Sequence, residues 1–518
     1  MKTILFSILC ALVTTLGNAQ AGTLDTTFGK GGGVITDFRT SAGAKDEVIQ
    51  PDGKIVVVGI SENKFSIARY LVNGELDPSF GKHGRMLTAI PGHDICIANA
   101  VALQSDGKIL VAGTAGDDFA VVRYNPGGAI DTSFGTGGGT VTDFRHGEDA
   151  ATDMVIQPDG KILVSGYTFT SYGNFALARY QPNGVLDSNF GKDGKIVTTI
   201  RRDDRSQCMA LQPDGKIILA GDADWNFGMV RYKKSGDLDS SFGSNGRVLT
   251  KMVRDNIFCF AIAIQPDGKI ILGGRAFNGP GPIIARYKMN GELDSTFGVN
   301  GFVKKIEGGV HKIYSLRIQP DGKILAAGAQ GIQGSVTGYD YTLLRYLPTG
   351  RLDTTFGTNG QADPVDFNKK DDDAYAMALQ SDGKIVLAGT ATIRIIKDGT
   401  YYYYTEYGVV RFNNDIGNVD KKQYRSLPVA QSSIYEENKV VLYPNPVRDV
   451  LNIRGLDQFT NYDLRITNAK GSVVARDRNA QSGLNGIYTM QAQSLSSGLY
   501  YSTITSPNKK TTVKFVKE

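Results

Sequence analysis

The phrase Gln-x-Asp-Gly-Lys-Ile occurs seven times in this chain, with its aspartates at Asp52, Asp106, Asp159, Asp214, Asp267, Asp321 and Asp382. The intervals are 54, 53, 55, 53, 54 and 61 residues, the last lengthened by inserted loops. A period near fifty means one supersecondary unit per repeat, each burying its apolar surface against its neighbours. Two further phrases recur in step. (Leu/Ile)-Asp-x-x-Phe-Gly carries Asp25, Asp77, Asp131, Asp187, Asp239, Asp294 and Asp353. Arg-Tyr closes an apolar run at Arg69, Arg123, Arg179, Arg231, Arg286 and Arg345, with Arg411-Phe412 as its variant.

Each unit reads as four short strands, A to D. In the second unit, Ala100–Gln104 is A, and Ser105-Asp106-Gly107-Lys108 is a tight turn in which Asp tolerates the bend and Gly accepts positive φ. Ile109–Ala112 returns as B, Phe119–Tyr124 is C and Thr140–Phe144 is D. The runs are apolar almost throughout, so both faces of each sheet are covered. Radial stacking of such sheets is the β-propeller solution. A D-like strand, Val34–Phe38, precedes the first A strand, and the last unit stops at its C strand, Val409–Phe412. Pairing these two closes a seven-bladed ring and removes its frayed edge. The expected fold is all-β, with a seven-bladed propeller over residues 22–412 containing seven strands of each type.

The three phrases together resemble delta-60 repeats, a β-propeller class of exported bacterial proteins. That resemblance implies the propeller and a surface setting, and no established reaction.

The flanks read differently. Lys2, the apolar run Ile4–Leu16 and the small residues Gly17-Asn18-Ala19 form a secretory signal over residues 1–19. No later stretch is apolar and long enough to span a bilayer as a helix. Residues 413–438 are polar and irregular, a linker. Residues 439–518 begin a new strand-rich segment, read as a small β-sandwich. Tyr443, Pro444, Asn445 and Pro446, then Gly498-Leu499-Tyr500 and the basic ending Lys509–Lys517, are similar to the type A sorting domain of type IX secretion cargo. This implies the type IX secretion machinery as a partner. It also implies passage across the outer membrane of a Gram-negative bacterium, then release or attachment at the cell surface.

Composition excludes some classes and supplies few sites. A formal charge of +5 over 518 residues, spread along the chain, leaves no basic patch for nucleic acid. Apart from Cys10 in the signal, Cys96, Cys208 and Cys259 remain, odd in number, and read as buried free thiols, with a Cys208–Cys259 bridge as the alternative. His83, His93, His146 and His311 fall in separate repeats without metal-ligand spacing. Asp222-Ala223-Asp224-Trp225-Asn226 alternates like a calcium loop, but Phe227 stands where such loops need glycine. Asp371-Asp372-Asp373 reads as a solvated loop. The repeated Arg is expected to pair with a nearby Asp and the repeated Phe to insert between blades. No catalytic residue, metal or cofactor is assigned.

Variation points to where binding would sit. The B–C and D–A connections differ from blade to blade and emerge on one face, whereas the A–B and C–D turns on the other are uniform. A monotonous face opposite a diverse one suggests a binding surface on the latter. Its aromatic residues make the candidate contacts: Trp225, Tyr339, Tyr341, Tyr401, Tyr402, Tyr403 and Tyr404, suited to a glycan or protein ligand. The first expectation is therefore an exported binding, adhesion or scaffold module. The alternative is a surface hydrolase or lyase acting on glycan or peptide at the channel mouth, which needs carboxylates facing one another across the channel.

Overall fold

The computed structural model describes residues 20–415 apart from 145–146, 253–255, 278–280, 305–309, 332–337, 368–370 and 398–399. It also describes 441–517 apart from 444–449, 455–460, 470–471, 482–486 and 507–508. The chain divides into two compact units, residues 1–433 and 434–518, taken separately below. The signal reading and most of the linker reading fall outside the described residues.

The first unit is a seven-bladed β-propeller built of antiparallel sheets. Blade one runs through strands A (Ala42–Ile49), B (Ile55–Ser61), C (Lys64–Tyr70) and D (Arg85–Thr88), and the later blades repeat that order. Each A strand packs against the next blade's A strand, and the seventh packs against the first. The outer strand of blade seven is Gly33–Thr36 from the start of the chain, with Gly33 opposite Val410 and Thr36 opposite Tyr407. The ring is thus closed by pairing the two ends of the repeat region.

The recurrent phrases converge on one cluster per blade. In blade two the Arg123 Nε donates to Asp131 at 2.8 Å, and the guanidinium lies 4.7 Å from the centre of the Phe134 ring. Lys108, from the Asp-Gly-Lys turn, approaches the same Asp131 carboxylate at 3.1 Å. Arg123 Nη1 then donates to the Pro182 carbonyl of the next blade at 2.7 Å. All seven blades repeat the Arg–Asp pair at 2.7–2.9 Å, so the expected pairing is present. The phrase Phe residues are fully buried, each beneath the C–D turn glycine of the next blade. At Gly128, which has φ +100°, a Cβ would lie 3.0 Å from Phe80, so glycine is required there both for conformation and for space. A second tie crosses four of the junctions through hydroxyls, those of Tyr70, Tyr180, Tyr232 and Tyr287. Tyr180 donates to Thr142 at 2.8 Å and Tyr232 to Thr198 at 2.7 Å, linking a C strand to the D strand of the preceding blade.

Two sequence expectations need correction. Seven D strands were expected, but blade six has three strands, and residues 361–365 touch its C strand only through isolated bridges, Gln361 to Leu344 and Val365 to Tyr341. Pro364 lies in this segment and has no N–H to give the ladder. The A strands also begin earlier than expected, at Ala42, Cys96, Glu148, Asp204 and Asp373 in blades one to four and seven. Much of what reads as D–A loop is therefore paired backbone. Cys96, Cys208 and Cys259 are buried and free, without the alternative bridge.

The second unit has a sheet of Val441–Tyr443, Val450–Arg454 and Ile487–Gln491. Its other sheet is ordered Val473–Gln481, Asn461–Asn468, Gly498–Ser506, Lys509–Lys517. One apolar cluster draws Leu451 and Ile453 from the first and Leu464, Ile466 and Ile504 from the second. Tyr443 ends a strand and Gly498 begins one, while Pro444, Asn445 and Pro446 lie outside the described residues. Among the described residues there is no helix in either unit, and none is long and apolar enough to cross a membrane.

Candidate functional site

A cavity of about 580 Å³ lies on the ring axis, lined by residues of all seven A strands. Its mouth is shaped by one irregularity repeated in every blade. Each A–B ladder has a β-bulge five residues before the phrase glutamine, which leaves one A-strand residue unpaired. These residues are Lys45, Asn99, Thr152, Gln207, Phe260, Tyr314 and Tyr375, all half-buried and all lining the cavity. Bulges re-aim side chains and recur beside binding sites.

The ring of bulge residues divides by chemistry. On one side they clamp the next blade: Asn99 Nδ2 donates to the Ala151 carbonyl at 2.8 Å, and Thr152 Oγ1 to the Ser206 carbonyl at 3.0 Å. Neighbouring carboxylates do the same for free strand-edge amides. Asp46 Oδ2 accepts from Val101 N at 2.8 Å, and Asp153 Oδ2 from Met209 N at 2.7 Å. On the other side the bulge residues are aromatic and pack on one another. Phe260 and Tyr314 have ring centres 5.1 Å apart, Tyr314 and Tyr375 4.7 Å, and Lys45 Nζ stands 4.2 Å from the Tyr375 ring centre. Outward, Phe258 stacks on Phe260 at 6.5 Å and meets Trp225 edge-on at 5.5 Å and Phe277 at 6.2 Å. The result is a continuous aromatic arc from the diverse face into the channel, interleaved with Arg275, Lys312 and Lys45.

Trp225 ends this arc in an unusual backbone. It is half-exposed in the two-residue turn Asp224-Trp225 between strands B and C of blade four, with φ of +50° and +64° at the two positions. A hairpin of this length calls for positive φ at both residues, normally supplied by Asn or Gly. A bulky side chain there is strained and points to selection for something other than the turn.

The other expected contacts fare unequally. Tyr339 joins the arc through Lys312, whose Nζ lies 4.6 Å from its ring centre and 3.6 Å from Asp373. Tyr341 is fully buried, with its hydroxyl donating to the Gly408 carbonyl at 3.0 Å and its ring against Phe367, so it offers no surface to a ligand. Tyr402 and Tyr403 are exposed and Tyr404 half-buried on a hairpin that extends blade seven as far as the Lys397–Thr400 pair. The Tyr401 side chain lies outside the described residues, though its backbone pairs with Ile396. Asp222 is not a calcium ligand in a loop, because its Oδ1 accepts from Cys259 N at 2.8 Å inside the sheet. Asp372 is likewise buried, not solvated: its oxygens accept from Phe367 N at 2.9 Å and Thr392 N at 2.8 Å.

Lower in the channel sit Asp46, Glu47 and Asp153 with Arg317. Burial lifts the Asp46 carboxyl to about 6 and Asp153 to about 7. Burial and the adjacent Asp46 lift Glu47 to about 8, which Arg317 only partly offsets. Burial also lowers Lys45, which Asp373 only partly offsets. Phe260, Tyr314, Tyr375 and Lys45 were not recognised as site residues, although their common offset from the phrase glutamine is visible in the sequence.

Comparison with known proteins agrees with this architecture. A family model described as a domain of unknown function (DUF5122) beta-propeller matches seven times, at residues 50–80, 104–134, 157–190, 212–242, 265–297, 319–356 and 380–420. A secretion system C-terminal sorting domain matches residues 441–518. No curated protein matches significantly. Among solved structures, a fungal alcohol oxidase of the AA5 family in complex with copper aligns at 14% identity and TM-score 0.48, covering 95% of this chain and 99% of that one. A protein from Lactobacillus plantarum aligns at 14% and 0.41, covering 63% and 86%. The β-propeller domain of the trilobed protease from Pyrococcus furiosus aligns at 10% and 0.36, covering 70% and 97%. At these levels neither activity nor ligand carries over. The seven repeat matches and the terminal match place the chain in the DUF5122 beta-propeller family, as a secreted surface protein ending in a secretion system C-terminal sorting domain.

Proposed function

We propose that this protein is a non-enzymatic binding module, delivered across the outer membrane by the type IX machinery through its C-terminal domain. It recognises a glycan or protein ligand on the face that carries the B–C and D–A connections. The carrying observation is the aromatic arc from Trp225 through Phe258, Phe260, Tyr314 and Tyr375 to the channel mouth, ended by a tryptophan in a backbone conformation that disfavours it. Rings of this kind, half-exposed at Trp225 and partly accessible beyond it, supply stacking area with little loss of side-chain freedom. The hydrolase or lyase reading would use the channel carboxylates, but Asp46 and Asp153 are already engaged as acceptors for neighbouring strand amides. The leader at residues 1–19 is part of the same proposal.

The test is a glycan array and a surface-protein pull-down with the full chain and a variant combining Trp225→Ala, Phe277→Ala and Tyr314→Ala. Retention should fall at least tenfold in the variant at unchanged circular dichroism. Equal retention by both proteins would remove the arc from the account.

A further inference from the structure

The fold brings three positions together at each blade junction on the diverse face. The first residue of interest lies six before the aromatic that ends strand C, the second follows strand D, and the third lies at the start of the next A strand. A backbone hydrogen bond repeats there: Asp149 N donates to the Asp117 carbonyl at 2.7 Å, Cys96 N to Asn63 at 2.8 Å and Ile257 N to Trp225 at 2.9 Å. It fixes the third position beside the first in each case.

At two junctions all three positions are acidic. Asp118, Asp143 and Asp149 meet between blades two and three, and Asp340, Asp366 and Asp372 between blades six and seven, each set with a carboxylate oxygen from every member within 4.8 Å of the others. Elsewhere the set is broken. Asn174 and Thr199 bond to each other beside Asp204, Lys64 replaces the first acid between blades one and two, and Asn226 and Lys251 replace the first two between blades four and five. Between blades seven and one, Glu406 and Asp37 stand with Ala42 at the third position.

A second observation marks both junctions: Asp149 is fully buried and its Oδ1 meets no hydrogen-bond donor among the described residues. Asp340 is only 4% exposed, its Oδ1 is wholly enclosed, and that oxygen meets no hydrogen-bond donor among the described residues. Asp46, Asp153 and Asp222 each accept a strand amide; Asp340 instead directs its carboxylate toward Asp366 and Asp372. Burying a carboxylate without a donor or counter-charge is strongly unfavourable.

We propose that each triad holds a calcium ion. The donors are all hard oxygens, which excludes zinc-type sites that prefer nitrogen and sulfur. Two oxygens on one calcium ion at about 2.4 Å lie no more than about 4.8 Å apart, so oxygens that all lie within 4.8 Å of one another can share one ion. Magnesium needs a tighter, more regular octahedron. The exported setting supplies calcium at the concentrations that weak extracellular modules use.

The test is calorimetric titration of the EDTA-stripped full chain with calcium chloride to 10 mM at constant ionic strength, with thermal unfolding in parallel. Two ions per chain are expected, with a higher unfolding temperature in calcium than in magnesium. Asp340→Asn and Asp143→Asn should each reduce the stoichiometry from two to one. In EDTA both variants should unfold no earlier than the wild type, because a neutral amide relieves like-charge repulsion, so loss of binding cannot be read as failure to fold. Absence of calcium binding in the wild type, or two ions still bound by both variants, would overturn the proposal.

Discussion

At the scale of single residues, two sets of carboxylates pull in opposite directions. The aspartates of the (Leu/Ile)-Asp-x-x-Phe-Gly phrase are held low. For Asp294, burial acts to raise the carboxyl, but the Thr296 hydroxyl and amide and the Arg286 guanidinium outweigh it and bring it to about 2. Such a group stabilises the fold above its ordinary range, and that contribution is lost as pH falls through the folded value. The channel carboxylates are held high. In the folded chain Glu47 keeps a proton that the unfolded chain has already released at neutral pH, so its contribution is complete below about 4.5 and disappears as pH rises toward about 8. Stability should therefore decline between pH 5 and pH 8, and Glu47→Gln should flatten that decline and gain about 1–3 kcal/mol at pH 8. Urea midpoints at the two pH values measure this; a wild-type slope in the variant would mean Glu47 is not buried in the channel. The Arg–Asp partnership was readable in the sequence because both residues recur at a fixed distance of eight. Glu47 was not, because it occurs once and only the ring places Arg317 and Asp153 around it.

Among elements, the strand order followed from the repeats, but the strand ends did not. Sequence reading begins strand A at Ala100, whereas the strand starts at Cys96 and passes through a bulge at Asn99. A bulge shifts the side-chain alternation by one, so a period-based reading stops where it begins. That is why Asn99, the bulge residue of blade two at the channel mouth, falls just outside the strand as read from the sequence. Blade six shows the converse: one proline at position 364 removes a strand that every other blade has. The Trp225 turn gives a test that separates folding from function. Trp225→Gly relieves the positive φ at some cost in unfolded-chain entropy, so stability should change by no more than about 1 kcal/mol. Ligand retention should nonetheless fall. Destabilisation by several kcal/mol instead would make Trp225 a packing residue, and its edge-on contact with Phe258 the reason it is kept.

For the whole molecule, closure of the ring is what gives the single-residue features their meaning. Seven near-identical sheets bury apolar clusters at every interface, and the first and last share one cluster containing Ala44, Val57, Ala388 and Val409. With the ring closed, seven A strands surround one axis, their bulge residues form one mouth, and the diverse connections surround it. Without closure there is no channel and no arc. The direct measurement is a disulfide across the closing strands. Val34 and Val409 are opposite each other in register and belong to the same apolar cluster. Opposed residues in antiparallel strands fall within the Cα separation a disulfide needs. In a Val34→Cys/Val409→Cys variant, mild oxidation of the folded full chain should give an intramolecular bond, located by peptide mapping, and a higher unfolding temperature. Folded protein in which these two thiols stay reduced, or link only between molecules, would contradict the closed ring.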